Sequence, residues 1–223
     1  MNSIIIVLIM TNTKSSHALP LRLAVLLLAA GQGSRLGSHP KALLKQNGVT
    51  LLKHLFDAVQ PFNPVEFVAV TGFHGDAIEE AFAQMDSPFS RSIRLLRNPA
   101  PESGQASSVR LGIEALHGHF DVLLIALSDQ PAITSAEVSQ LLSAFLQRSE
   151  GTEMLLPMVH GQRGNPVLFS KQALRSTVAV PDLSCRAYMD AHPEQVQLWH
   201  TDNDAFICDV DTPQDMQKYQ LAF

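Results

Sequence analysis

The stretch LAVLLLAAGQGSRLG, residues 23–37, begins as an apolar run and ends as a glycine-rich loop. No polar residue interrupts 23–28, so this predicted strand is expected to be buried on both faces, which is typical of a central strand in a parallel sheet. Glycines let a backbone approach an anion, and Arg35 and Lys41 add positive charge beside them. The stretch therefore predicts a phosphate-binding loop, and the alternative is a flexible turn between the strand and a following helix. The candidate contacts to phosphate are Leu28, Ala29, Ala30, Gly31, Gly33, Ser34, Arg35 and Lys41.

Two common phosphate loops fit this stretch poorly. The dinucleotide-binding fingerprint G-x-G-x-x-G requires a third glycine one residue earlier than Gly37. The Walker loop requires a lysine directly after its last glycine, and Gly37 is followed by Ser38. The glycine spacing therefore argues against a nicotinamide-dependent oxidoreductase and against a P-loop NTPase.

Short apolar runs and amphipathic segments alternate along the rest of the chain. Strands are predicted at 65–72, 92–98, 121–131, 153–158, 165–170, 196–199 and 206–211. Helices are predicted at 51–59, 77–84, 107–116, 135–147, 171–177, 184–191 and 213–221. This order predicts an α/β fold with a Rossmann-like, mostly parallel sheet flanked by helices and an elaborated, mixed C-terminal part. We expect one domain over residues 21–223.

Composition limits the classes of partner. The chain has 223 residues, 17% of them charged, with a net charge of -5 and no basic block. A nucleic-acid-binding face requires clustered Lys and Arg, so that function is not expected. The apolar run Ile4–Met10 is much shorter than the roughly 20 residues of a membrane span, so no membrane association is expected. Residues 1–20 are interpreted as an extension outside the fold.

Both cysteines, Cys185 and Cys208, lack the spacing of a metal site. They are interpreted as packing residues of a reduced, cytoplasmic protein.

Polar residues follow several predicted strands. In open α/β sheets, ligands bind beyond the carboxyl ends of the strands. We therefore expect the glycine loop to meet the residues at the other strand ends, which are Gly72, Asn98, Asp129, Gln130, Asp209 and Asp211.

Carboxylates at two of these strand ends could hold Mg²⁺, which binds one or two carboxylates together with substrate phosphates. Asp129 is the first candidate, and the alternative is a turn residue that caps the next helix. Asp209 and Asp211 are two apart and would share one face of a strand. They form either a metal pair with Asp129 or a solvent-facing strand end. Asp215 is interpreted as structural, because Thr212 and Pro213 predict a helix start there.

Two further segments carry candidate substrate contacts. Gly104, Gln105, Ser107 and Ser108 precede an apolar helix and could contact a base edge, or one serine is simply the N-cap. Arg163, Gly164 and Asn165 precede a strand. There Arg163 could contact the phosphate of an acceptor, or the segment is a surface hairpin.

Taken together, these residues resemble the MobA-like nucleotidyltransferase family. The family's opening pattern is matched by Leu28, Ala30, Gly31, Arg35, Gly37 and Lys41. Further blocks resemble its molybdenum cofactor cytidylyltransferase branch in the same order, over about residues 21–221. These blocks are VTGFHGDAIEEAF, NPAPESGQASSVRLGIEAL, LSDQP, GQRGNPVLF and DVDTPQD.

The resemblance implies a nucleotide-diphospho-sugar transferase-like fold, Mg²⁺, CTP as nucleotide substrate and a molybdopterin-type phosphate acceptor. It also implies transient contact with a molybdoenzyme or its chaperone. Arg35, Lys41 and Asp129 would be the catalytic residues, with Asp129, Asp211 and Asp209 as candidate metal ligands. One block departs from the family: Asp182-Leu183-Ser184-Cys185-Arg186 stands where Asp-x-Gly-Ala-Arg is usual, which puts the acceptor-side geometry in doubt.

Two alternatives stay open from the sequence. One is the same chemistry on another phosphate acceptor, such as a sugar phosphate, or with another nucleoside triphosphate. The other is an accessory protein that binds nucleotide or cofactor for molybdoenzyme maturation without catalysis.

Overall fold

A computed structural model describes residues 21–85, 90–178 and 184–223. The expected extension at 1–20 lies outside these residues, and so do Asp182 and Leu183 of the departing block. The strands are β1 (Leu23–Ala29), β2 (Lys45–Gln46), β3 (Val49–Thr50), β4 (Glu66–Thr71), β5 (Arg94–Arg97), β6 (Val122–Leu127), β7 (Met154–Val159), β8 (Gln162–Arg163), β9 (Val167–Ser170), β10 (Val196–His200) and β11 (Leu221–Ala222). The helices are α1 (Leu51–Val59), α2 (Gly75–Ala83), α3 (Gln105–Glu114), α4 (Ser135–Leu146), α5 (Lys171–Val178), α6 (Cys185–Ala191) and α7 (Pro213–Lys218).

The main sheet has the strand order β10-β7-β9-β6-β1-β4-β5, and β8 pairs with β7. β1 pairs in parallel with both β4 and β6, and β5 extends the parallel part beyond β4. β9 runs antiparallel between β6 and β7. The sheet is thus mostly parallel, with β9 antiparallel to both of its neighbours in the C-terminal half, and this confirms the predicted fold class.

The central position of β1 explains its composition. All seven of its residues are buried. Leu23, Val25 and Leu27 belong to a core on one face, together with apolar residues of α1, α2 and α4. Ala24 and Leu26 belong to the opposite core, with residues of α3, α5 and α6. Because helices cover both faces, an uninterrupted apolar strand is stable here, and its carboxyl end comes to the surface at the glycine loop.

A second, small sheet stands beside the glycine loop. It has the order β11-β2-β3, and all its pairings are antiparallel. The residues Leu36, Leu44, Leu51, Val210 and Leu221 form a buried satellite cluster under it. The helix predicted at 213–221 therefore ends earlier than expected, at Lys218, because Leu221 pairs with β2 and packs in this cluster.

The strand predicted at 206–211 is wrong. Asp204–Ile207 form a 3₁₀-helix, with the Asn203 side chain accepting a hydrogen bond from the Ala205 amide, and 208–211 are in no strand. The backbone here bonds to loops instead of a neighbouring strand, because the Val210 amide donates to the Asp129 carbonyl at 3.1 Å. This bond brings 209–211 to the end of β6.

Within the ranges that the structure describes, no helix is both long enough and apolar enough to cross a membrane.

Candidate active site

A cavity of about 440 Å³ lies at the carboxyl ends of β1, β4 and β6. Most of the residues singled out in the glycine loop and at the neighbouring strand ends line it. These are Leu28, Ala29, Ala30, Gly31, Gly33, Ser34, Arg35, Lys41, Gly104, Gln105, Ser108, Asp129 and Asp211. Of the strand-end residues expected to meet the glycine loop, Asp129 and Asp211 line the cavity with it. The others are not among its lining residues: Gly72, Asn98, Gln130 and Asp209.

The glycine loop turns back on itself after β1. Gly33 has a φ of 65°, and a methyl group there would collide with the His39 carbonyl oxygen. The amides of Leu36 and Ser38 both donate to the Gly33 carbonyl, at 2.9 and 3.0 Å. Gly31, in contrast, faces open space, because a Cβ added there would have nothing within 4 Å. Gly33 is thus required by the turn itself, whereas Gly31 leaves space at the cavity wall.

No α-helix follows the loop directly, which differs from the expectation drawn from strand–loop–helix phosphate sites. Ser34–Leu36 and Lys41–Leu43 are single-turn 3₁₀-helices, and α1 begins only after the β2–β3 hairpin. The helix end that lines the cavity belongs to α3. Its N-cap is Gly104, whose lack of a side chain leaves the first-turn amides without a side-chain cap.

Four charged side chains form a connected group, named here the charged cluster: Arg35, Lys41, Asp129 and Asp211. Lys41 Nζ lies 3.0 Å from Asp129 Oδ2 and 2.5 Å from Asp211 Oδ1. Arg35 Nη1 donates to Asp211 Oδ2 at 2.9 Å. The side chains of Lys41 and Asp129 are each 20% exposed, so their pair is largely shielded from solvent.

Burial changes how this pair ionises. Desolvation raises the pKa of Asp129, and the attraction of Lys41 only partly offsets it. Desolvation also opposes the charge on Lys41, but the two carboxylates outweigh it and raise the pKa of the ammonium. Lys41 therefore stays cationic, and Asp129 gains from any additional positive charge brought close to it.

One observation indicates that the charged cluster could bind a divalent cation. Asp129 Oδ1 is buried and has no hydrogen-bond partner, although Oδ2 contacts Lys41. An unpaired carboxylate oxygen is costly to bury, and a hard cation with oxygen ligands would satisfy it. Among the described side chains, no group of three or more His, Cys, Asp and Glu is arranged to hold a metal. A cation here would thus depend on Asp129, Asp211 and oxygens of a bound phosphate.

Asp209 and Asp211 do not share a strand face as expected. The Val210 side chain between them is buried in the satellite cluster, Asp209 is exposed, and Asp211 is turned into the charged cluster. Asp209 nevertheless lies near enough to raise the pKa of Asp129 through charge repulsion. Asp215 accepts from the Asp211 and Thr212 amides and closes a capping box with Thr212, so its structural interpretation is consistent with the geometry.

Some residues around the start of α3 line the cavity, and others hold the lining residues in place. Asn98 is buried, and its amide donates to the hydroxyls of Ser107 and Ser108 at 2.8 and 2.9 Å. The Ser107 hydroxyl also donates to the Gly104 carbonyl at 2.8 Å. Gly104 and not a serine occupies the N-cap, so the N-cap interpretation of Ser107 and Ser108 is wrong. Asn98 and Ser107 lie behind the cavity wall that Gly104, Gln105 and Ser108 form.

Other predicted contacts lie outside the lining. Gln130 is buried, and its amide donates to the Asn165 carbonyl at 3.0 Å. The backbone N–H of Asn165 in turn donates to the Phe206 carbonyl at 2.8 Å. Gln130 and Asn165 therefore join the β8–β9 connection to the 3₁₀-helix that contains Phe206.

Gly72 and Gly164 are sites of close packing. A Cβ at Gly72 would lie 2.8 Å from that of Ala30, and one at Gly164 would lie 2.9 Å from that of Phe206. Arg163, predicted to contact an acceptor phosphate, is exposed and forms an ion pair with Asp190 of α6.

Phe73, Ile78 and Pro101 line the cavity but were not singled out from the sequence. Phe73 directly follows Gly72 at the end of β4, and Pro101 lies beyond β5, so both stand at strand ends. The strand-end argument was applied to polar residues only, and it would have found these two if apolar residues had been included.

The two cysteines are free. Burial raises the pKa of the Cys185 thiol to about 12, and Cys208 is buried. The Cys185 thiol is therefore poorly suited to nucleophilic chemistry at neutral pH.

The chain is similar over most of its length to two curated proteins with different names and to solved nucleotidyltransferase structures. Nicotine blue oxidoreductase of Paenarthrobacter nicotinovorans is 31% identical over 199 residues, covering 86% of this chain and 93% of that protein. Molybdenum cofactor cytidylyltransferase of Escherichia coli (strain K12) is 26% identical over 192 residues, covering 85% and 91%. The solved structure of a nucleotidyl transferase from Methanothermobacter thermautotroptrophicus matches with a TM-score of 0.68 at 23% identity, covering 88% of this chain and 95% of that one.

The sequence profile of one family spans most of the described structure. It matches residues 25–196, which include most of β1, the glycine loop, Lys41 and Asp129. The fold, the glycine-loop cavity and this match agree, and the chain belongs to the MobA-like NTP transferase domain family.

Proposed function

We propose that this protein transfers CMP from CTP to the phosphate of a molybdopterin-type cofactor and releases pyrophosphate. The observation that carries the proposal is the charged cluster beside the glycine loop, in which Lys41 lies between Asp129 and Asp211. The similarity to the Escherichia coli molybdenum cofactor cytidylyltransferase supports this choice of nucleotide and acceptor. Delivery of the product would involve transient contact with a molybdoenzyme or its chaperone.

In this mechanism the glycine loop binds the triphosphate. Gly31 leaves the wall open, so the phosphates can approach the loop amides closely. Arg35, the most exposed member of the charged cluster, can turn from Asp211 to the departing pyrophosphate, since its guanidinium forms paired hydrogen bonds with phosphate oxygens. These contacts orient the α-phosphorus of CTP towards the acceptor.

The acceptor phosphate attacks the α-phosphorus through one of its oxygens. A new P–O bond forms, the bond from the α-phosphorus to the bridging oxygen breaks, and pyrophosphate leaves with that electron pair. The acceptor phosphate is already ionised, so no general base is required. Mg²⁺ held by Asp129 and Asp211 would supply charge neutralisation between the reacting phosphates. Lys41 contributes fixed positive charge next to both carboxylates, so the chain's own contribution is positioning and electrostatics.

The test is a panel of CTP, GTP, ATP and UTP with Mg²⁺, each combined with reduced molybdopterin cofactor or with sugar phosphates, read by pyrophosphate release. We expect release with CTP and the molybdopterin cofactor. Release only with a sugar phosphate or with another nucleotide would replace the proposed substrate within the same chemistry. Binding of CTP without release under all conditions would instead support the non-catalytic accessory protein.

The name of the 31% identical relative favours a second candidate, an oxidoreductase. Two observations weigh against a nicotinamide cofactor in this chain: the third loop glycine is displaced, and no α-helix follows the loop directly. Asp57, the acid nearest in sequence to a ribose-binding position, lies in α1 and pairs with Lys53. Oxidation of NADH or NADPH by the protein in the presence of a quinoid dye acceptor, followed by absorbance, would establish this candidate.

A further inference from the structure

Phe73 is an aromatic side chain that remains exposed at the rim of the cavity. Phe73 is 42% exposed, although only Gly72 separates it from a strand with five consecutive buried residues. The ring also lines the cavity that contains the glycine loop. A single exposed apolar residue is ordinary on a protein surface, so its position in a ligand cavity requires further support.

The turn that carries Phe73 is fixed on one side to the glycine loop and the turn after β5. Gly72 packs so closely that an added Cβ would lie 2.8 Å from the Ala30 Cβ and 2.9 Å from the Pro101 Cβ. His74 Nε2 donates to the Gln32 carbonyl at 2.8 Å. The backbone on either side of Phe73 is therefore fastened to the loop that would hold the phosphates.

On its other side the turn is fixed to β5 through Arg97. The Arg97 guanidinium donates to Asp76 and to Glu79 of α2, at 2.5 and 3.0 Å. Glu79 also accepts from the Thr71 hydroxyl at 2.8 Å, and its pKa is lowered chiefly by Arg97. These contacts join the first part of α2 to β4 and β5, so the backbone that carries the exposed ring is attached to the sheet on this side as well.

The strand order places Phe73 away from the charged cluster. In the order β6-β1-β4-β5, Asp129 follows β6, the glycine loop follows β1, and Phe73 follows β4. A triphosphate over the loop and beside Lys41 would thus extend its nucleoside towards the β4 and β5 ends. Gly104 and Gln105 line that end of the cavity, and the space around Gly104 is open.

We propose that Phe73 is the stacking platform for the nucleobase of the bound nucleoside triphosphate. The inference deepens the proposed function and rests on nucleotide binding at this cavity. A planar base gains dispersion and stacking energy on an aromatic face, and a side chain carried on a backbone that is already fixed requires little backbone ordering on binding. Phe73 therefore contributes to binding of the base and not to binding of the phosphates.

The test compares a ligand that has a base with one that lacks it. Binding of CTP and of inorganic tripolyphosphate, both with Mg²⁺, is measured by titration calorimetry for the wild type, Phe73→Ala and Phe73→Trp. We expect Phe73→Ala to weaken CTP binding roughly 5- to 150-fold relative to the wild type while tripolyphosphate binding stays unchanged. Phe73→Trp, which keeps an aromatic face, should bind CTP about as tightly as the wild type. Val65→Ala is the matched control, because Val65 is exposed at the opposite end of β4.

The outcomes separate this inference from the proposed function. If the wild type binds CTP and Phe73→Ala binds it equally tightly, the stacking role of Phe73 is wrong, and the nucleotidyltransferase proposal is unaffected. The platform is also overturned if Phe73→Ala raises only the KM for the acceptor, since the ring would then stack on the pterin. Equal weakening of CTP and tripolyphosphate binding would assign Phe73 a role in the shape of the loop. Failure of the wild type to bind any nucleoside triphosphate would reject both proposals.

Discussion

The Asp129 carboxylate lies at the end of β6, where one oxygen contacts Lys41 and the other is buried without a partner. Its pKa is raised by burial, so in the unliganded protein the ionised form is held at a cost in stability. A residue retained in such an environment is typical of a site prepared for a cation that arrives with the substrate.

We expect Asp129→Asn to abolish pyrophosphate release while leaving the protein at least as stable as the wild type at pH 7. In the unfolded chain Asp129 has an ordinary carboxyl pKa, and in the folded protein it is higher. The wild type therefore loses stability as pH rises through the window between these two pKa values. The Asp129→Asn protein does not, because its side-chain amide does not titrate. Urea unfolding across this window, beside turnover at pH 7, measures both effects.

The matched control is Asp57→Asn, because Asp57 is exposed and pairs with Lys53 within α1. It should keep full activity and lose only about 0.3–0.5 kcal/mol, as is usual for a helix-surface ion pair. An Asp129→Asn protein that is markedly less stable than the wild type at pH 7 would contradict the assignment of Asp129 as a destabilised site residue.

For individual residues, the sequence predicted which positions lie at the site better than it predicted what each side chain does there. Lys41, Asp129 and Asp211 were selected because they follow strands or glycines, and all three line the cavity. Gln130 was selected by the same argument, but its side chain is buried against the carbonyls of Asn165 and Phe206. Adjacent residues at a strand end point in different directions, and the partner that buries one of them lies far along the chain, where local pattern gives no signal.

Among the elements, the glycine loop shows what sequence can and cannot specify. The run of glycines after a buried strand indicates an anion site, but it does not fix the element that follows. Here a β-hairpin, β2–β3, intervenes before α1, and its strands are only two residues long. Such strands have too few residues for period-two alternation to be detected, so the hairpin was not predicted. The strand expected at 206–211 failed for a related reason, because its hydrogen-bond partner is a loop carbonyl.

Two glycines of this loop should respond differently to a methyl group. Gly33→Ala requires a left-handed backbone and collides with the His39 carbonyl, so we expect a loss of at least about 1–2 kcal/mol in stability. Gly31→Ala has space and no positive φ, so stability should change by less than about 0.5 kcal/mol. The Gly31 methyl would instead keep phosphates from the loop amides, lowering kcat/KM on the order of 10- to 100-fold.

Thermal unfolding and initial-rate kinetics on the two proteins check this pair. A Gly31→Ala enzyme with unchanged kcat/KM would show that phosphates do not approach this part of the loop. Wild-type stability of Gly33→Ala would show that the turn relaxes around the added methyl group.

In the molecule as a whole, the site residues are supported by three separate apolar clusters. The end of β1 is held by the large cores on both faces of the main sheet, whereas Leu36 and Val210 belong to the satellite cluster. Leu36 is adjacent to Arg35, and Val210 is adjacent to Asp211, so the satellite cluster supports both members of the Arg35–Asp211 pair. Its remaining side is closed by Leu221 of β11, from the opposite end of the described chain.

We therefore expect Leu221→Ala to act on catalysis at a distance. The substitution removes buried contacts worth about 2 kcal/mol, and the loss falls on the small sheet and not on the main one. The Leu36 and Val210 backbones would then move more freely, so Arg35 and Asp211 would be held less firmly. The KM for the nucleoside triphosphate should rise by about tenfold, since a loss of roughly 1.4 kcal/mol in binding corresponds to that factor.

Leu198→Ala provides the comparison, because Leu198 is a leucine on the edge strand β10 that is largely exposed and remote in strand order from the glycine loop. It should leave both the urea midpoint and the KM within error of the wild type. Hydrogen exchange of Leu221→Ala should show faster exchange at 34–44 and 208–212 while β1 and β6 stay protected, because those strands lie in the centre of the main sheet. Uniformly faster exchange over the whole sheet would mean that β11 supports global stability, and an unchanged KM would mean that the satellite cluster does not position the site.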